Sequence, residues 1–139
     1  MGCTLPVAIS LRVAIAASLA VIAVACGSAS PAPTPKPFAG PTPDPALVAQ
    51  GATLMQQKGC GGCHTVPGVP GATGAIGPNL GGVASRSTIA AGLVPNNGQD
   101  DLKRWILDPP AVKPGTAMPN IGLTDDEATR IVAYLETLR

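Results

Sequence analysis

The sequence predicts an all-α fold of three to five short helices, and three observations carry that prediction. Apolar residues recur at helical spacing in three separate stretches, around residues 47–55, 102–106 and 128–138. Start and stop signals bracket those stretches: Asp44-Pro45 and Gly59, Pro109-Pro110, and Thr124 with Glu127. No segment alternates apolar and polar residues as a half-buried strand would.

The chain of 139 residues begins with a segment outside that fold. A short polar lead ends at Arg12, and an apolar run extends from Val13 to Ala25. Spanning a bilayer takes about 20 apolar residues, and a longer span here would bury Arg12 in lipid. Residues 1–25 therefore read as an export signal, with an uncleaved anchor as the alternative. The end of the run, Ile-Ala-Val-Ala-Cys at 22–26, resembles the signal box of bacterial lipoproteins, although Ala23 stands where Leu is commonest. Ala23-Val24-Ala25 also reads as an ordinary cleavage site that would release a soluble protein. Lipidation of Cys26 is the favoured reading, because an unpaired thiol at an exported N-terminus is reactive. Either way the remainder of the chain is expected outside the cytoplasm.

Residues 26–45 are dominated by Pro, Ser, Thr and Ala, with Phe38 as the one large apolar side chain. Nothing there can form a core, so the segment reads as a semi-rigid, polyproline-type tether. Residues 46–139 are left as the folding unit. Beyond Cys26 the chain carries eight Lys or Arg and eight Asp or Glu, with no basic stripe, which argues against a nucleic-acid partner. The unit has two aromatic residues, Trp105 and Tyr134, and is rich in Gly and Pro. A domain this small has a thin core of its own, so another group is expected to fill it.

The first helix is expected to start at Asp44-Pro45, with Asp as cap, and to place Leu47, Gly51, Leu54 and Met55 on one face before Gly59 ends it. Residues 65–93 read as Gly-rich loop with one helical turn after Ser87. A second helix near Asp100 carries Leu102, Trp105 and Ile106 and is expected to stop by Asp108, before the two prolines. The last helix is the clearest: Thr124 and Glu127 form a capping box ahead of the stripe Ala128, Ile131, Val132, Leu135 and Leu138.

Between the first two helices lies Cys60-Gly-Gly-Cys63-His64. Three chemistries use such a motif. A structural zinc site needs four ligands, and the exported part offers two cysteines and one histidine, so the fourth would have to be a carboxylate. A redox dithiol normally comes after a strand, at a helix N-terminus, whereas this pair comes after a helix; thiol exchange is disfavoured but stays open. Covalent haem attachment needs two thiols for the vinyl groups and a histidine beneath the iron, and all are present. The four cysteines are then accounted for: Cys3 leaves with the signal, Cys26 takes lipid, Cys60 and Cys63 take haem. With one histidine in the chain, the sixth ligand to iron is Met, Lys, water or nothing. Met55 lies on the apolar helix face, where a core role is expected. Met118 lies in a loop bounded by Pro and Gly, where a core role has little periodic support.

These residues carry a resemblance. The chain from about 46 to 139 resembles a class I, monohaem cytochrome c in Cys-Gly-Gly-Cys-His-Thr at 60–65, Gly-Pro-Asn-Leu at 77–80, Arg86, the segment 102–109, Lys-Pro-Gly-Thr-Ala-Met-Pro at 113–119 and the last helix. The resemblance implies a small class I cytochrome c fold around one covalent haem c, with His64 and Met118 as axial ligands. It implies that the Pro78 carbonyl accepts the second His64 ring proton, that Leu80 packs on the haem and that Arg86 and Thr116 approach the propionates. It also implies Trp105 near the Met118 side and a crossing of the first and last helices at Gly51 and Tyr134. Lys58, Lys103, Arg104 and Lys113 read equally as a ring around the haem edge or as ordinary surface charges.

The similarity is closer to the cytochrome c domain fused to subunit II of some haem-copper oxidases, in residues 77–86 and 107–119. The copper-binding domain and its ligands are missing, so a free-standing cytochrome is expected. The implied function is that of an outward-facing, lipid-tethered electron carrier between membrane complexes, delivering to a terminal oxidase and having no small-molecule substrate. A fixed subunit of a respiratory complex is the alternative. A gas sensor or peroxidase is disfavoured if Met118 fills the coordination sphere.

Overall fold

The computed structural model describes residues 42–139. The expected export signal at 1–25, the lipidation site Cys26 and all of the tether except its last four residues lie outside the described residues.

Helix α1 spans Pro45–Gln57. The Asp44 side chain accepts from the Ala46 N–H at 2.7 Å, and Pro45 occupies the first turn, where a missing N–H leaves no bond unmade. Gly51 and Met55 are buried, with Leu47 and Leu54 half-buried beside them. Gly59 ends the helix at φ 73°, a left-handed conformation that suits Gly. One further helical turn, α2 (Cys60–Cys63), begins at once.

The loop after α2 satisfies much of its own backbone. Val66 N–H donates to the Ala72 carbonyl at 3.0 Å and Leu80 N–H to the Thr65 carbonyl at 2.8 Å. The helical turn expected after Ser87 comes earlier, as a 3₁₀ turn at Val83–Ser85. After Ser87 the chain instead forms a small antiparallel hairpin, β1 (Thr88–Ile89) with β2 (Val94–Pro95), in which Ile89 pairs with Val94. Two residues per strand are too few for alternation to be visible in sequence. The hairpin turns through Ala90 and Ala91, at φ 54° and 60°, and Lys113 Nζ donates to the Ala90 carbonyl at 3.3 Å.

Helix α3 (Gln99–Leu107) buries Leu102 and Ile106, half-buries Trp105 and stops at Asp108 as its prolines require. The same prolines then begin a helical turn that the sequence pattern does not predict, α4 (Pro109–Val112). Asp108 caps it by accepting from Ala111 N–H at 3.4 Å, and a residue without an N–H is tolerated in a first turn. Helix α5 (Asp125–Leu135) carries the full capping box: Glu127 N–H donates to Thr124 Oγ1 at 3.2 Å, and Thr124 N–H to Glu127 Oε2 at 3.0 Å. Ala128, Ile131, Val132 and Leu135 are buried, and Leu138 is half-buried beyond the helix end.

The core lies where α5 packs on α1 and α3. At the α1–α5 crossing, a Cβ on Gly51 would overlap the Arg130 carbonyl and lie 2.9 Å from Tyr134 Cβ. Only Gly lets the two backbones approach this closely. The Tyr134 hydroxyl continues across to donate to the Pro67 carbonyl, fixing the α2 loop to α5. The described residues therefore form an all-α domain of five helices with one minimal hairpin. None of the described helices is long and apolar enough to cross a membrane.

Candidate haem site

Cys60 and Cys63 stand at the two ends of α2, three residues apart on one helical turn, so both thiols share a face. Cys60 is half-buried and Cys63 exposed, and neither is in a disulfide. Burial pushes the Cys60 thiol up from its ordinary range, partly offset by a backbone hydrogen bond, with a smaller upward push from Cys63. The pair therefore favours the protonated thiol at Cys60, the opposite of what an attacking redox thiolate needs.

His64 leaves the turn in extended backbone, φ −112° and ψ 144°. Its Nδ1 lies 2.8 Å from the Pro78 carbonyl oxygen. A carbonyl only accepts, so the bond puts the proton on Nδ1 and leaves the Nε2 lone pair for a metal. Gly77 makes this possible: a Cβ there would overlap His64 Cε1 and lie 2.6 Å from Nδ1. Gly77 N–H in turn donates to the Cys63 carbonyl at 2.8 Å, tying the Pro78 stretch of the loop to α2. The contact of Gly77 with the imidazole is a spatial fact without a local sequence signal.

The other candidates fall into two groups. Leu80, Trp105 and Met118 are half-buried apolar side chains packed against the core, as is Cys60. Arg86 is half-buried and its Nη2 donates to the Asn79 carbonyl at 2.6 Å and the Gly81 carbonyl at 2.7 Å. One amino group is thus engaged by its own loop, and the rest of the guanidinium has no hydrogen-bond partner among the described residues. Thr116 is half-buried, and its Oγ1 accepts from Met118 N–H at 3.4 Å, so it shapes the loop that bears Met118.

Asn96, which no sequence motif singles out, braces the backbone around Arg86. It is buried, and its Nδ2 donates to the Val83 carbonyl at 3.0 Å and the Arg86 carbonyl at 2.8 Å. It lies in Pro-Asn-Asn-Gly, which reads only as a turn. Its Oδ1 is buried without a partner among the described residues, the kind of atom that a water completes.

The four cations left undecided by the sequence are all engaged. Lys58 pairs with Glu127 at 2.7 Å, Lys103 with Asp125 at 2.8 Å and Arg104 with Asp101 at 3.2 Å, while Lys113 serves Ala90. A surface groove of about 810 Å³ lies elsewhere, between the hairpin and the outer side of α3 and α4. Leu93, Val94, Lys103, Leu107 and Val112 are among its walls, and it includes none of the candidate haem residues.

The residues present fit a haem. The thiols, an imidazole with its second nitrogen already bonded, a glycine that clears the ring and apolar side chains left part-exposed are what such a group requires.

Known proteins give the same answer at the level of family. The sequence model described as Cytochrome c matches residues 48–139. The chain is 32% identical over 98 residues to cytochrome c oxidase subunit 2 of Alkalihalophilus pseudofirmus, covering 70% of this chain and 27% of that protein. It is 32% identical over 102 residues to cytochrome c oxidase subunit 2 of Bacillus subtilis, covering 70% and 28%. With the cytochrome c homolog of Bradyrhizobium diazoefficiens it shares 34% identity over 105 residues, covering 67% and 55%. The chain thus spans about a quarter of the two oxidase subunits' length and about half of the third relative's. With its five helices and the family match over most of its length, the chain belongs to the cytochrome c family.

Proposed function

We propose that the domain binds one haem c covalently through Cys60 and Cys63, with His64 and Met118 as axial ligands, and that the protein carries single electrons between membrane complexes. The observation that carries this reading is the His64 imidazole, held through Nδ1 by the Pro78 carbonyl at 2.8 Å beside two free cysteines. Bound there, haem supplies a one-electron iron couple, and a Met thioether ligand favours the reduced form. In this reading Leu80 and Trp105 wall the pocket and keep water from it. Arg86 and Thr116 meet the propionates, which need cationic and hydroxyl donors in a partly buried site. Pro78 fixes the tautomer of His64.

The carrier is exported, lipidated at Cys26 and held by the 26–45 tether at the outer face of the cytoplasmic membrane. Its acceptor is a terminal oxidase, a reading supported by similarity to proteins named cytochrome c oxidase subunit 2. The same names support a second reading, a haem subunit fixed within an oxidase or quinol-oxidising complex; stoichiometric co-purification after detergent extraction would favour it.

Covalent haem in the export-matured protein should survive a denaturing gel and stain for peroxidase activity; an unstained band sinks the proposal. Met118→Ala should abolish the sulfur-to-iron charge-transfer band, and Met55→Ala, in the core, should keep it. Cys26→Ser should release the protein from membranes, and continued membrane attachment would point to an uncleaved anchor instead.

A further inference from the structure

The two segments that bear the proposed haem ligands contain no charged side chain. From Gly59 to Ser85, 27 residues that include Cys60, Cys63 and His64, there is no Asp, Glu, Lys or Arg. From Pro114 to Thr124, 11 residues that include Met118, there is none either. Two of the three exposed large apolar side chains of the described residues sit in these segments, Ile76 at 79% exposure and Ile121 at 40%. Ile76 precedes Gly77, whose N–H donates to the carbonyl of the exposed Cys63 at 2.8 Å. Around these isoleucines, Ala75, Ala117, Pro119 and Asn120 are exposed and uncharged. Of the cations that flank these segments in sequence, Lys58 is paired with Glu127 at 2.7 Å, Arg86 Nη2 donates to the Asn79 and Gly81 carbonyls, and Lys113 Nζ donates to the Ala90 carbonyl at 3.3 Å.

Resting on the carrier reading, we propose that Ile76 and Ile121 belong to the electron-exchange face, and that this face docks a redox protein whose own entry face is apolar and uncharged. A basic or acidic ring would steer an oppositely charged partner and make association salt-dependent. With no charge in either segment there is nothing to steer, and a charged partner face would lose hydration without gaining a counter-charge. The segments present branched aliphatic surface instead, whose burial is favourable and little affected by salt. The occupant chemically suited to them is therefore a neutral apolar patch.

The test uses the reduced holoprotein and the solubilised membrane fraction of the organism that makes it, with haem oxidation followed optically. The rate is expected to change less than about twofold between roughly 0.01 and 0.5 M salt. Ile76→Glu combined with Ile121→Glu should slow oxidation about tenfold with the haem spectrum intact, whereas Arg104→Ala, whose side chain is 60% exposed outside both segments, should leave the rate unchanged. A rate that falls steeply with salt, or a double variant as fast as wild type, overturns the apolar face and leaves the carrier reading standing. No oxidation by membranes at any salt, from a protein that does hold haem, counts against the carrier reading itself, and the docking proposal falls with it.

Discussion

A methyl group on Gly77 would meet the His64 ring, and the ring is not free to swing because Pro78 holds its Nδ1. Gly77→Ala should therefore destabilise the domain by about 1–3 kcal/mol, read as a lower denaturant midpoint; an unchanged midpoint would mean the ring has room to move. Glu136 poses a different problem. It is buried, its Oε2 accepts from Gln99 Nε2 at 2.7 Å, and burial raises its pKa against the smaller lowering by Gln99 and Arg139. A carboxyl whose native pKa lies above its unfolded one contributes fully below the unfolded value. That contribution is lost as pH rises through the native value. Glu136→Gln keeps an acceptor for Gln99 and removes the buried charge. It should raise the melting temperature at about pH 7 and much less at about pH 4, with equal gains at both values counting against the assignment. Neither residue is legible in sequence. Glu136 interrupts the last helix's pattern as an ordinary polar residue, and Gly77 matters only because a loop folds back on His64.

At the scale of elements, α1, α3 and α5 are legible because each has a cap, an apolar stripe or a stop signal within a few residues of one another. The hairpin, the 3₁₀ turn and α4 are not, because two to four residues cannot display a period, and α4 begins with the residues that end α3. The cap of α5 carries two functions at once, since Glu127 bonds the Thr124 N–H and also pairs with Lys58 on the end of α1. Thr124→Ala should lower stability by about 1 kcal/mol in chemical denaturation. The Lys58 and Thr124 interactions hold the Glu127 carboxyl below its ordinary pKa. Its contribution is then complete above the unfolded value and is lost as pH falls through the native one. The melting-temperature gap between wild type and Glu127→Gln should accordingly close on acidification from about pH 7 to below about pH 4; a constant gap would show that charge is not what matters. Where α1 crosses α5, Gly51→Ala has no such pH dependence. It should cost about 1–3 kcal/mol by forcing the backbones apart.

For the whole molecule, the candidate site is legible in sequence wherever chemistry is local, as in Cys60, Cys63 and His64. It is illegible where separate segments meet, as in Gly77 clearing the ring of His64. The half-buried Leu80, Trp105, Met118 and Leu123 mark an apolar surface that the polypeptide alone leaves incompletely covered. Apoprotein made as Cys60→Ser with Cys63→Ser should therefore melt well below the holoprotein, and Trp105, the single tryptophan, should report it by brighter emission. Equal melting temperatures would show that the polypeptide needs no filler. The packing of α1 on α5 also sets an order of events in time. These are the first and last described helices, and a helix as short as α1 is marginal on its own in water. During synthesis α1 lacks its main partner until residues 125–135 have been made. Until then the packing of α1 is incomplete, so machinery that threads the chain or modifies Cys60 and Cys63 can meet those thiols before the domain has assembled.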